Sequence, residues 1–81
     1  MTDQEIKDLA ELMIPFRGLK LSSIGPMKRL VWQWEVNGNH RNHSEIIQNG
    51  SEVTPSEARG FLDSAIDEIL DKYPDEEFRS R

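Results

Sequence analysis

The chain has 81 residues, a net charge of −5, no cysteine and 36% hydrophobic residues. That length makes one small domain, in which roughly 60% of the unfolded surface is buried. The missing cysteines exclude disulfide staples and thiolate chemistry, the negative charge argues against sequence-blind binding to phosphates, and no apolar run approaches the ~18 residues of a membrane span.

In chain order, Thr2-Asp3-Gln4-Glu5 is a capping box, and Ile6, Leu9, Ala10 and Met13 follow at helical spacing. The pattern predicts a helix over about 3–14, stopped by Pro15, with Phe16 tucked into the core just after it. Leu19-Lys20-Leu21-Ser22 alternates and predicts a short strand, and Ser22 to Pro26 reads as a turn. Met27 to Val36 is the strongest strand: Leu30, Trp32, Trp34 and Val36 face one way, and Arg29, Val31, Gln33 and Glu35 the other. Asn37-Gly38-Asn39 reverses the chain, and His40 to Gln48 returns as a third strand.

Register decides what this hairpin presents. A two-residue Asn-Gly loop pairs Val36 with Asn39 and sets Arg41, His43 and Glu45 beside the tryptophans. A three-residue loop with Asn39 left-handed pairs Leu30 with Ile46 and Glu35 with Arg41. The second choice puts Ile46 in the core and an opposite-charge pair outside, and it is the register expected here.

Asn49-Gly50-Ser51 breaks the third strand. Thr54-Pro55-Ser56-Glu57 then starts a second helix with every local signal in agreement: a cap, a proline at the first position and a glutamate reaching back. Phe61, Leu62, Ala65, Ile66, Ile69, Leu70 and Tyr73 form its apolar stripe, and Pro74 ends it. The expectation is a single α+β domain over 1–74 and a flexible tail over 75–81. The order α-β-β-β-α predicts a three-stranded antiparallel meander with two helices packed on one face. Both indoles belong in the core beneath the helices, each N–H needing an acceptor.

That order, with Val36-Asn37-Gly38 at a hairpin end, resembles the double-stranded-RNA-binding domain over most of the chain. The resemblance implies the two-layer layout and a nucleic-acid partner. That family grips phosphate with a lysine-rich start to its last helix. The corresponding stretch here reads Thr54-Pro55-Ser56-Glu57-Ala58-Arg59, and Glu57 would repel phosphate.

Charge is segregated: residues 1–16 sum to −3, residues 17–41 to +4 and residues 42–81 to −6. Such segregation can steer a partner. The expected function is a small, acidic, non-enzymatic protein-interaction module of the cytoplasm, a bacterial or phage accessory or regulatory protein. One candidate surface is the outer sheet face, with Lys20, Arg29, Val31, Gln33, Glu35, Arg41, His43 and Ile47. The other is an acidic ridge of Asp63, Asp67 and Asp71 along the last helix, beside Glu68. The alternative is a nucleic-acid-binding domain using Lys20, Lys28, Arg29 and Arg41, with Trp32 or Trp34 stacking on unpaired bases. A monomer or a weak homodimer through the edge strand is expected.

His40 and His43 fall on opposite strand faces, and Glu45 is the nearest third ligand for a metal. They read as surface histidines, with no metal or cofactor expected. There is no Gly-rich phosphate loop, GxSxG, HExxH or CxxC, so no catalytic constellation is legible.

Overall fold

The computed structural model describes residues 1–15 and 18–76. Helix α1 (Asp3–Met13) leads into strands β1 (Gly18–Ile24), β2 (Met27–Val36) and β3 (Asn39–Ile47). A 3-10 turn at Gly50–Glu52 precedes helix α2 (Pro55–Lys72). The strands form one antiparallel sheet in the order β1-β2-β3, which is the predicted α+β meander. Phe16, expected in the core, lies outside the described residues. Among the described residues, no helix is long and apolar enough to cross a membrane.

Both helices start as their sequences dictate. Thr2 Oγ1 accepts from the Glu5 N–H at 3.2 Å, and Thr2 N–H donates to Glu5 Oε1 at 2.9 Å. Thr54 and Glu57 repeat the arrangement, with both bonds at 3.1 Å. Each box satisfies N–H groups that the first helical turn leaves orphaned. Both helices lie on one face of the sheet, α1 against β1 and α2 against β3, and they touch each other. Between the layers sit Ile6, Ala10 and Ile14 of α1, Leu30 and Trp32 of β2, Ile47 of β3, and Ala58, Leu62, Ala65, Ile66 and Ile69 of α2. Trp32 is fully buried, as expected, and Trp34 is half-buried at the margin of this core.

The register of β3 corrects the sequence reading. Val36 pairs with Asn39, Trp34 with Arg41, Trp32 with His43 and Leu30 with Glu45. The loop is the two-residue one, and Asn37 (φ 52°) and Gly38 (φ 82°), not Asn39, carry the positive dihedrals. A turn with both central residues left-handed matches the right-handed twist of its strands, and Asn-Gly is the pair that adopts it most readily. The expected three-residue loop offered one buried isoleucine and one surface ion pair. The observed loop supplies its own buried isoleucine: Ile47 is 2% exposed, while Ile46 faces out at 49%.

Because side chains alternate along a strand, this single step reverses all of β3. Arg41, His43 and Ile47 leave the predicted outer surface and turn inward. Lys28 also faces inward, across from Ile47. It is ion-paired to Asp3 and donates to Ser23 Oγ at 3.0 Å. Its stem crosses the backbone at Gly50, where a Cβ would sit 1.9 Å from Lys28 Cγ, so only glycine fits without rearrangement.

Candidate functional sites

Among the described residues, the sheet has one face covered by the helices and one face left open. Cross-strand partners share a face, so Lys20, Val31 and Ser44 form one outer row, and Ser22, Arg29 and Ile46 the next. Ile24 and Met27 close the row beyond. Ile24 is 60% exposed, and with Ile46, Met27 and Val31 it makes an apolar patch on an uncovered sheet. The charged residues among these rows are Lys20 and Arg29, both exposed, and neither has an ion-pair partner among the described residues. Gln33, Glu35, His40 and Asn42 continue the face toward the hairpin end.

Of the eight residues predicted for this surface, Lys20, Arg29, Val31, Gln33 and Glu35 lie on it. Arg41, His43 and Ile47 do not, for the reason of register already given. Ser22, Ile24, Met27, Ser44 and Ile46 take their place. Asp63, Asp67 and Asp71 are exposed along α2 at the predicted spacing.

On the inner face, the turned residues of β3 build two polar clusters. In the first, Arg41 Nη1 and Nη2 donate to Asp75 Oδ1 and Oδ2 at 3.0 and 2.9 Å. Arg41 Nη1 also donates to Glu76 Oε1 at 2.8 Å, and so does Trp34 Nε1, at the same distance. The guanidinium lies over the Tyr73 ring, 4.9 Å from its centroid, and Trp34 meets that ring edge-on at 5.6 Å. The Arg41 guanidinium holds the Asp75 carboxyl below the usual carboxylate range, and the carboxylates raise Arg41 in return. The tail expected at 75–81 therefore divides. Asp75 and Glu76 are fastened to the sheet, and residues 77–81 lie outside the described residues.

In the second cluster, His43 Nε2 lies 3.1 Å from Glu45 Oε1 and 3.3 Å from Glu68 Oε2. His43 is 9% exposed, not a surface histidine, and its ring leans on Trp32 with centroids 6.1 Å apart. Burial pushes the Glu45 carboxyl up, its hydrogen bond with Glu68 adds to the rise, and His43 opposes it. His40 is exposed on the other face, 3.4 Å from Glu35. Trp32 Nε1 is fully buried with no hydrogen-bond partner among the described residues.

The six residues of the nucleic-acid alternative are not brought together. Lys20 and Arg29 are outside, Lys28 and Arg41 inside and ion-paired, Trp32 enclosed, and Trp34 bonded to Glu76. Sequence reasoning missed Glu68 as a neighbour of His43, and Asp75 and Glu76 as partners of Arg41. The alternation His43-x-Glu45 was visible; the helix that completes it depends on the register. No protein family, curated protein or solved structure matches the chain.

Proposed function

We propose that this chain is a small, acidic, non-enzymatic interaction module that docks another protein on the open face of its sheet. The observation that carries this reading is the patch of Ile24, Met27, Val31 and Ile46, flanked by Lys20 and Arg29 and covered by neither helix. Exposed apolar area mixed with arginine is the composition of a protein interface. On a chain of net charge −5, the only charges in those rows are positive. They favour a partner segment that carries carboxylates beside apolar side chains. The acidic ridge of α2 points away from this face and is the second candidate surface.

A compact acidic chain of this kind fits a cytoplasmic accessory or regulatory protein of a bacterium or phage, an assignment by analogy of size and charge. Base stacking has weaker support, since Trp32 is enclosed and Trp34 is held by Glu76. Self-association through β1, an edge strand of seven residues, is the homodimer option.

The test is site-specific photo-crosslinking in lysate of the source cell, with the reactive group at position 46 or position 67. A defined adduct from position 46, lost on Arg29→Glu, supports the reading. Adducts only from position 67 move the interface to the acidic ridge. Adducts that are nucleic acid, or a second copy of the chain, replace the reading with the alternatives.

A further inference from the structure

We propose that His43, Glu45 and Glu68 bind one divalent transition-metal cation of the zinc class between β3 and α2. The donor set comes first. One imidazole nitrogen with two carboxylate oxygens suits zinc and its neighbours, whereas magnesium and calcium favour oxygen alone. Nε2 of His43 and one oxygen of each glutamate lie within 4.8 Å of one another.

The distances agree with this chemistry. Around a tetrahedral zinc with bonds of about 2.0–2.1 Å, adjacent ligand atoms stand about 3.3 Å apart. The two nitrogen–oxygen separations here are 3.1 and 3.3 Å. Two of the three ligand separations already match that spacing, and the third, between the glutamate oxygens, lies within 4.8 Å.

The setting is also unlike a chance gathering of surface acids. His43 is nine-tenths buried, and its position is fixed by pairing with Trp32 across the sheet. Glu45 sits two residues on, on the same strand face, and Glu68 reaches it from the helix above.

A second observation points the same way. Trp32 Nε1, buried and without an acceptor among the described residues, belongs to the ring beside His43. Three protein ligands leave a fourth zinc position for water. The donor that lacks an acceptor thus belongs to the ring next to the histidine ligand, with centroids 6.1 Å apart.

The experiment is a titration of the full chain with zinc chloride at neutral pH, followed by calorimetry, thermal melting and imidazole 15N NMR. One saturable site is expected, with the His43 ring nitrogen shifting and that of His40 unmoved. Melting temperature should rise with zinc concentration and stay put with magnesium. Glu68→Gln changes an exposed side chain and removes one ligand. An outer-shell partner alone is worth about 10–100-fold in metal affinity, so this loss should weaken binding at least about tenfold. Glu45→Gln should do the same, with circular dichroism checking that each variant is folded. Absence of saturable binding, affinity untouched by both variants, or zinc shifts at His40 would each overturn the proposal.

Discussion

Arg41 and Asp75 are joined by two parallel hydrogen bonds of 3.0 and 2.9 Å across 34 residues of sequence. This fork-to-fork pair fastens the chain beyond α2 to the strand that α2 covers. Glu76 completes the fastening by accepting from both Arg41 and Trp34. Bidentate pairs of this kind are the strong members of the ion-pair class. Arg41→Ala should lower the melting temperature and shift Trp34 emission to the red, because the indole loses the cover of residues 73–76. Trp34 emission unchanged in Arg41→Ala would mean that the segment is held by something else.

The same contacts fix the response to acid. Asp75 is held low by Arg41, Asp3 by Lys28, and Glu5 and Glu57 by the backbone N–H groups they cap. A carboxyl depressed on folding contributes stability that is fully present above its unfolded pKa. That contribution is lost as pH falls through the folded value. These four groups make stability decline below the ordinary carboxylate range, whereas Glu45, whose carboxyl burial pushes up, adds stability as pH falls from neutral toward its folded value. Thermal melts from neutral to acid pH check the direction; a rise in stability below the ordinary carboxylate range would contradict it.

Trp32 is the largest fully buried side chain, and its N–H has no acceptor among the described residues. Trp32→Ala should cost about 3–5 kcal/mol, a large share of the stability of a domain this small. Trp32→Phe should cost much less, since it removes an unsatisfied donor along with part of the ring. In a Trp34→Phe background, the remaining emission should be blue-shifted and resistant to quenching. Urea melts of the two Trp32 variants give the ratio directly.

Local signals read well in the sequence because they act over three or four residues. Thr54, Pro55 and Glu57 start α2 as predicted, and the stripe of Leu62, Ala65, Ile66 and Ile69 is buried as predicted. The alternation of β2 placed Leu30 and Trp32 inward without help from the fold. β3 could not be read this way. His40 to Ile47 alternates poorly, and Ile46 and Ile47 are adjacent, so either could be the core residue. The turn broke the tie, and its preference outweighed the Glu35–Arg41 pair that favoured the other register. The His43 cluster and the Arg41 fork follow from that turn and from α2 docking, both decided by contacts between segments distant in sequence. The open patch was only partly legible: Arg29 and Val31 came from β2, while Ile24 and Ile46 required the strand ends.

The caps give a smaller and cleaner measurement. Thr54→Ala should destabilise the domain by about 1 kcal/mol, as should Thr2→Ala, since each removes one side-chain acceptor at a helix start. Thr54→Ser keeps the oxygen and should restore most of the loss. The serine variants separate capping from the methyl packing of threonine. If Thr54→Ser melts with Thr54→Ala, the hydroxyl is not what holds that helix start.

The neighbours Ile46 and Ile47 test the register and the docking surface in one comparison. Ile47 is 2% exposed and belongs to the core shared with α2, so Ile47→Ala should cost about 2–5 kcal/mol. Ile46 stands on the open face, so Ile46→Ala should stay within about 0.5 kcal/mol of the parent. A one-residue slip of β3 would exchange the two results. The stability-neutral variant is also the one expected to lose a partner, because a side chain that contributes nothing to the isolated fold is available to an interface. Equilibrium unfolding of both variants, with partner crosslinking of Ile46→Ala, separates a residue kept for folding from one kept for binding. Tolerance at 47 and collapse at 46 would overturn the register and, with it, the inward placement of Arg41 and His43.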